Sequence, residues 1–173
     1  ETNTNGAAGH FTREEAICAG IYELIQRDAF LIYWLNSIAP PRIKPETIEH
    51  VEVRALLEKT TRYGFEMVLL TTTLDLQIPS CISVLIDKTG VGPMVSVGGG
   101  CHPDFGRALL QSMNESFVVH KMLRGKHTPF ILPDLYTPFT NREINQENRM
   151  LLWADKKMFS KFKWFVSGKN QSY

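Results

Sequence analysis

The chain has 173 residues, 43% hydrophobic and 21% charged, enough apolar material for one cored domain without covalent staples. A formal net charge of +1 gives no long-range attraction for nucleic acid, and no unbroken apolar run reaches the roughly 18 residues of a membrane span. Cys18, Cys81 and Cys101 are odd in number and lack CxxC spacing; this argues against a disulfide framework or a zinc module and fits a reducing cytoplasm.

The opening run Glu1-Thr2-Asn3-Thr4-Asn5-Gly6 is polar and is no signal peptide. The first methionine is Met67, and the text opens inside a structured segment, so the chain reads as a domain cut from a longer one. A small, Gly/Ala-rich stretch over 3–9 leads to Thr12 and Glu15, which have capping-box spacing. A long helix is predicted from Arg13 to Leu35, with Ile17, Ile21, Leu24, Ile25, Leu31, Ile32 and Leu35 as its apolar stripe, ended by Ala39-Pro40-Pro41. Ile43-Lys44-Pro45 reads as extended. A second helix is expected over about Glu49 to Tyr63, with Gly64 as its C-terminal cap. Strands follow at Phe65–Thr71, Pro79–Asp87 and Met94–Gly98, with Lys88-Thr89-Gly90 as a turn. Gly98-Gly99-Gly100 then leads into a third helix, Pro103 to Leu123. Beyond Gly125 comes a proline-punctuated loop, long enough to be substrate-facing, then a helix over Arg142–Ala154. The aromatic end (Phe159, Phe162, Trp164, Phe165) is expected to pack back on the domain. The fold class is α+β: long helices on a mixed or antiparallel sheet.

Two constellations could carry chemistry. The first is the stretch Asn3 to Gly9 with Glu15, Glu23, Gln26 and Arg27. Backbone N–H groups of a glycine loop before a helix suit an anion. Glu23 and Arg27 share a helix face, where carboxylate and amide oxygens suit a hard cation and arginine a phosphate. The second is Gly98 to His102 with Gln111, Asn114, Glu115 and Val118, of which Gln111 and Glu115 share a face. Taken singly, each also reads as a solvated polar stripe on a capped helix. A Gly-rich stretch feeding a long helix occurs twice, at 3–35 and 96–123, a weak internal echo that could bring the two helices around one site. The five histidines show no metal-ligand spacing, although His102 stands at a helix entrance. Trp34, Trp153 and Trp164 read as core or interface anchors.

Together these segments resemble a known family. Thr4-Asn5-Gly6-Ala7-Ala8-Gly9, Glu14-Glu15-Ala16-Ile17 and Tyr22-Glu23-Leu24-Ile25-Gln26-Arg27-Asp28-Ala29 resemble the YcaO signature SNGxAAG…EEAI…ELIERDA. Pro79-Ser80-Cys81-Ile82, Gly98-Gly99-Gly100-Cys101-His102-Pro103 and Ala108-Leu109-Leu110 resemble the family's second block, and Trp153-Ala154-Asp155 and Trp164–Gly168 its trailing segments. The resemblance implies one partial YcaO-like domain over 1–173, ATP and Mg²⁺ as cofactors, and phosphorylation of a peptide amide oxygen. In the cyclodehydratases a Cys, Ser or Thr of a ribosomal precursor peptide, such as a bacteriocin, has attacked the preceding carbonyl, and loss of phosphate leaves a thiazoline or oxazoline. It further implies that Asn5 and Gly6 lie on the phosphate side and that Glu15, Glu23, Gln26, Arg27, Gln111 and Glu115 hold the nucleotide, with Glu23 and Glu115 on the metal. Its expected partners are the precursor peptide and a leader-binding or other biosynthetic protein. Self-association through an uncovered apolar face is also expected, and neither nucleic acid nor membrane is. The departures are Gln26 for glutamate, Val118 for a polar residue and His120 for arginine. They favour, as an alternative, a non-catalytic docking scaffold; thioamide formation is a third reading. These 173 residues alone are expected to be inactive as a catalyst.

Overall fold

The computed structural model describes residues 4–126 and 146–173. The elements are α1 (Arg13–Leu35), β1 (Arg42–Ile43), α2 (Val51–Arg62), β2 (Phe65–Thr71), β3 (Ser80–Asp87), β4 (Val95–Cys101), α3 (Phe105–Lys126), α4 (Gln146–Ala154), α5 (Phe159–Phe162) and β5 (Asn170–Gln171). The expected helix over Arg142–Ala154 is found from Gln146 onward, and residues 127–145, with most of the expected loop, lie outside the described residues.

The strands form one mixed sheet in the order β4-β3-β2-β1-β5, antiparallel except for the parallel β1–β5 pair. Strand β3 is buried throughout, since helices or aromatic residues cover both faces. On one face Met67, Leu69, Cys81 and Leu85 pack against Val53 of α2 and Ala108, Leu109 and Met113 of α3. On the other, Val68, Leu70, Ile82, Val84, Ile86 and Val95 pack against Phe162, Phe165 and the α1 residues Phe30, Tyr33 and Trp34. The aromatic end therefore folds back as expected, its rings meeting Trp34 in tilted and edge-on contacts.

One expectation changes. The strand predicted to end at Gly98 runs on to Cys101, taking the whole glycine run into β4. Helix packing is the reason: a Cβ at Gly98 would lie 2.3 Å from the backbone of Ser112 and Ser116, and one at Gly100 2.1 Å from the Ala108 carbonyl. Only glycine lets α3 sit this close to the strand. The apolar stripe of α1 faces outward. Ile17 is 51% exposed, Leu35 74%, and Ile21, Leu24, Leu31 and Ile32 are exposed too. The helix reaches the sheet instead through Ala29 and its aromatic residues.

Candidate functional site

The first constellation is held by local hydrogen bonds. Thr12 and Glu15 form the capping box, and His10 Nδ1 lies 2.7 Å from Glu15 Oε2. The hydroxyl of Thr12, with His10 beside it, holds the Glu15 carboxyl below its ordinary range. The loop before α1 does not stop at the helix tip. It folds back along the helix, where Gly20 leaves room for the Gly6 carbonyl. Gly6, at φ +75°, donates its N–H to Glu23 Oε2 at 2.8 Å, and Arg27 Nε donates to Glu23 Oε1 at 2.7 Å. Asn5 and Gly6 thus stand beside Glu23, the middle of α1, and not at its N-terminus.

The second constellation repeats the device. Glu115 of α3 accepts the N–H of Gly99 from its own preceding glycine stretch, as Glu23 accepts that of Gly6. The helices lie on opposite faces of the sheet and meet at its edge. The ideal Cβ position of Gly99 falls 2.0 Å from Gln26 Nε2, so the amide of Gln26 covers the glycine that Glu115 holds. Gly99 is where the two helices converge.

Beside this junction lies a cleft of about 880 Å³. Glu15, Cys18, Tyr22 and Glu23 line it from α1, and Gln111 and Asn114 from α3. His50, His102 and Arg107 line its far side together with Glu52. Of the residues singled out in the sequence, Glu15, Glu23, Cys101, His102, Gln111 and Asn114 line the cleft; Asn5, Gly6, Gln26, Arg27 and Glu115 stand beside it in the loop, next to Glu23 and at the junction. His50 and Arg107 carried no sequence signal, because they reach the cleft only through the packing of α2 against α3. Among the departures, Val118 is 66% exposed on the outside of α3, whereas His120 is buried between Phe65 and Ser96, away from the cleft. His120 thus packs inside the fold and does not line the cleft.

Mg²⁺ prefers one or two carboxylates completed by phosphate and water oxygens. The cleft offers donors of that class in Glu15, Glu23, Gln111 and Asn114. Among the described residues no cluster of three or more His, Cys, Asp or Glu could cage a metal. The residues therefore fit a cation that arrives with phosphates better than one held by protein alone.

The model of the family described as YcaO cyclodehydratase, ATP- and Mg²⁺-binding, matches residues 1–171. The chain belongs to the YcaO family. It is 31% identical over 125 residues to an uncharacterized protein in the tfuA 3′ region of Rhizobium leguminosarum bv. trifolii, covering 67% of this chain and 30% of the relative. A heterocyclase solved in complex with substrate and cofactor is 27% identical with a TM-score of 0.67, over 90% of this chain and 20% of its own. YcaO from Methanopyrus kandleri, solved with AMPPCP and Mg²⁺, shares the fold at a TM-score of 0.71 and 20% identity, over 98% of this chain and 40% of its own. The chain thus spans well under half of each of these proteins. No helix among the described residues is long and apolar enough to cross a membrane.

Proposed function

We propose that this chain is the part of a YcaO-type cyclodehydratase domain that holds ATP and Mg²⁺ for activation of a peptide backbone amide. The observation that carries the reading is the junction at Gly99, where Gln26 from one sheet face and Glu115 from the other meet beside a cleft lined by Glu15, Glu23, Gln111 and Asn114. Glu23 and Glu115 would carry the metal, with Gln26, Gln111 and Asn114 adding amide oxygens. Metal-bound ATP would supply the phosphoryl group that turns an amide oxygen into a leaving group, and neutralised phosphate charge accounts for most of the acceleration in such transfers. The chain's own residues position and bind. The Glu23–Gly6 bond fixes the glycine loop, and Arg27 and Arg107 would supply guanidinium groups for phosphate oxygens.

A second reading, a non-catalytic scaffold, draws support from the same geometry. Glu23 already serves Gly6 and Arg27, Glu115 already serves Gly99, and glutamine stands at position 26. Calorimetry with Mg²⁺-ATP separates the two. Heat that disappears in Glu23→Ala is expected for the nucleotide reading, and its absence from the unmodified chain overturns it in favour of the scaffold.

A further inference from the structure

Strand β4 is an edge strand, and its hydrogen-bond parity can be worked out. Asp87 N donates to Met94 O and His102 N to Pro79 O, each at 3.1 Å. In an antiparallel ladder every second residue exchanges such bonds with its partner. In the observed register, Ser96, Gly98 and Gly100 therefore point into the sheet, while Val97 and Gly99 turn N–H and C=O to the edge, which no strand of the described residues covers; at the end of the ladder Met94 gives only its carbonyl to β3 and donates its N–H to the Ala154 carbonyl. Glu115 takes the Gly99 N–H. No described residue bonds the outward N–H or C=O of Val97.

Val97 lies on the floor of an apolar groove of about 510 Å³, walled by Phe30 and Trp34 of α1, Val119 and Leu123 of α3 and Trp153 of α4. Backbone polar groups on an apolar floor call for a polar partner. An extended chain meets both demands, pairing its backbone with the edge and placing side chains between the walls. We propose that the Val97 edge takes an extended segment of the peptide substrate as an added strand. Both polar groups of Val97 would bond one residue of an antiparallel segment. Val97 stands two residues from Gly99, about 7 Å along the strand. A segment seated there leads its next amides to the junction of Gln26 and Glu115, which is why the substrate, and not an unrelated polypeptide, is the occupant inferred. The inference rests on the reading that this chain serves peptide amides.

The probe is a blocked hexapeptide of alternating valine and threonine, titrated while indole fluorescence and amide hydrogen exchange are followed. Binding should perturb Trp34 and Trp153 and slow exchange at Val97. Val97→Pro deletes the outward donor and leaves the bonds of Ser96 and Gly98 to β3, since an edge strand tolerates proline where the N–H faces out. It should weaken binding about five-fold, the effect of one hydrogen bond. The same peptide N-methylated throughout should not bind the unmodified chain, a test independent of any folding defect. Equal affinity for the N-methylated peptide, or no peptide binding, overturns the proposal. So does a Val97 amide as protected as that of Ser96 before peptide is added, which would mean that residues 127–145 or a second copy already fill the groove. Mg²⁺-ATP calorimetry on the same samples keeps the two readings apart. Heat without peptide binding removes the groove alone, and peptide binding without heat removes the nucleotide site alone.

Discussion

Replacing the glycines of β4 one at a time should produce unequal damage that the geometry ranks in advance. In Gly98→Ala the new methyl would sit 2.3 Å from both the Ser112 carbonyl oxygen and the Ser116 nitrogen. These are backbone atoms in the middle of α3, so the helix must lift by about an ångström to reach ordinary contact near 3.5 Å. Lifting α3 loosens Ala108, Leu109 and Met113 in the core and parts the buried Ser83 and Ser112 hydroxyls. Overpacking costs about 1–3 kcal/mol and the lost hydrogen bond about 1 kcal/mol. The smaller backbone entropy of alanine in the unfolded chain returns about 0.4–1 kcal/mol. A net loss of about 2 kcal/mol corresponds to a drop in Tm of about 4–8 °C for a chain of this size. Gly100→Ala should behave alike, with its methyl 2.1 Å from the Ala108 carbonyl. Gly99→Ala meets only the tip of the Gln26 side chain. That tip can swing away, so a loss near 1 kcal/mol is expected, together with an opened junction. Urea denaturation of the three variants measures the order. A Gly99→Ala variant as unstable as Gly98→Ala would refute the reasoning that backbone approach, and not the strand's preference for glycine, fixes these positions.

Other outcomes follow from single contacts. Glu23→Ala removes the acceptor of the Gly6 N–H, so amide exchange at Gly6 should speed about ten-fold, while exchange within β3 stays unchanged. Stability should fall as the pH drops below about 6.5. Burial, together with the charge of Arg124, lowers the basicity of His120 against the opposing pull of Asp87; the unfolded chain then binds the proton first and gains from it. A further loss should come near and below about pH 4: burial works to raise Asp87, but hydrogen bonds from Thr89 and Gly92 and the charge of His120 hold it low, and its contribution is lost as pH falls through the folded value. His120→Gln should flatten the upper part of this profile in denaturation curves between pH 7 and 5.5. Only Cys18 should react quickly with a thiol reagent in the folded chain, because it is exposed while burial pushes the Cys101 thiol up to about 11 and the Cys81 thiol higher still; Mg²⁺-ATP should slow that reaction, since Cys18 lines the cleft. The double variant Ile17→Lys with Leu31→Glu should reduce self-association in light scattering, since both side chains belong to the outward stripe of α1.

Local signals in the sequence were legible where one segment decides its own structure. Thr12 with Glu15 marked the start of α1, and the apolar run over Phe65–Thr71, following Gly64, gave the limits of β2. The glycine run was misplaced because its cause lies outside the segment. Nothing within Gly98-Gly99-Gly100 announces that α3 will press on two of these residues and Gln26 on the third. The stripe of α1 was legible as a stripe, but its outward orientation was not, because periodicity reports that a helix has an apolar face and not which neighbour that face meets.

The internal echo carries more than its weak sequence signal suggested. In both halves a glycine amide donates to a glutamate on the following long helix, seventeen residues on in the first and sixteen in the second. Such a pairing is expected of an acid that must stay aimed. A carboxylate has about four acceptor sites, so Glu115, held by the Gly99 N–H, and Glu23, held by Gly6 and Arg27, keep sites for a cation or water, and each pays the entropy of ordering before any ligand arrives. The same anchoring makes the acid dispensable to a scaffold, where it would serve the loop alone. The two roles differ in what Glu23→Gln should do, since glutamine can still accept the Gly6 N–H but brings no charge to a metal. Preserved slow exchange at Gly6 with loss of Mg²⁺-ATP heat would assign the carboxylate to the ligand as well as to the fold.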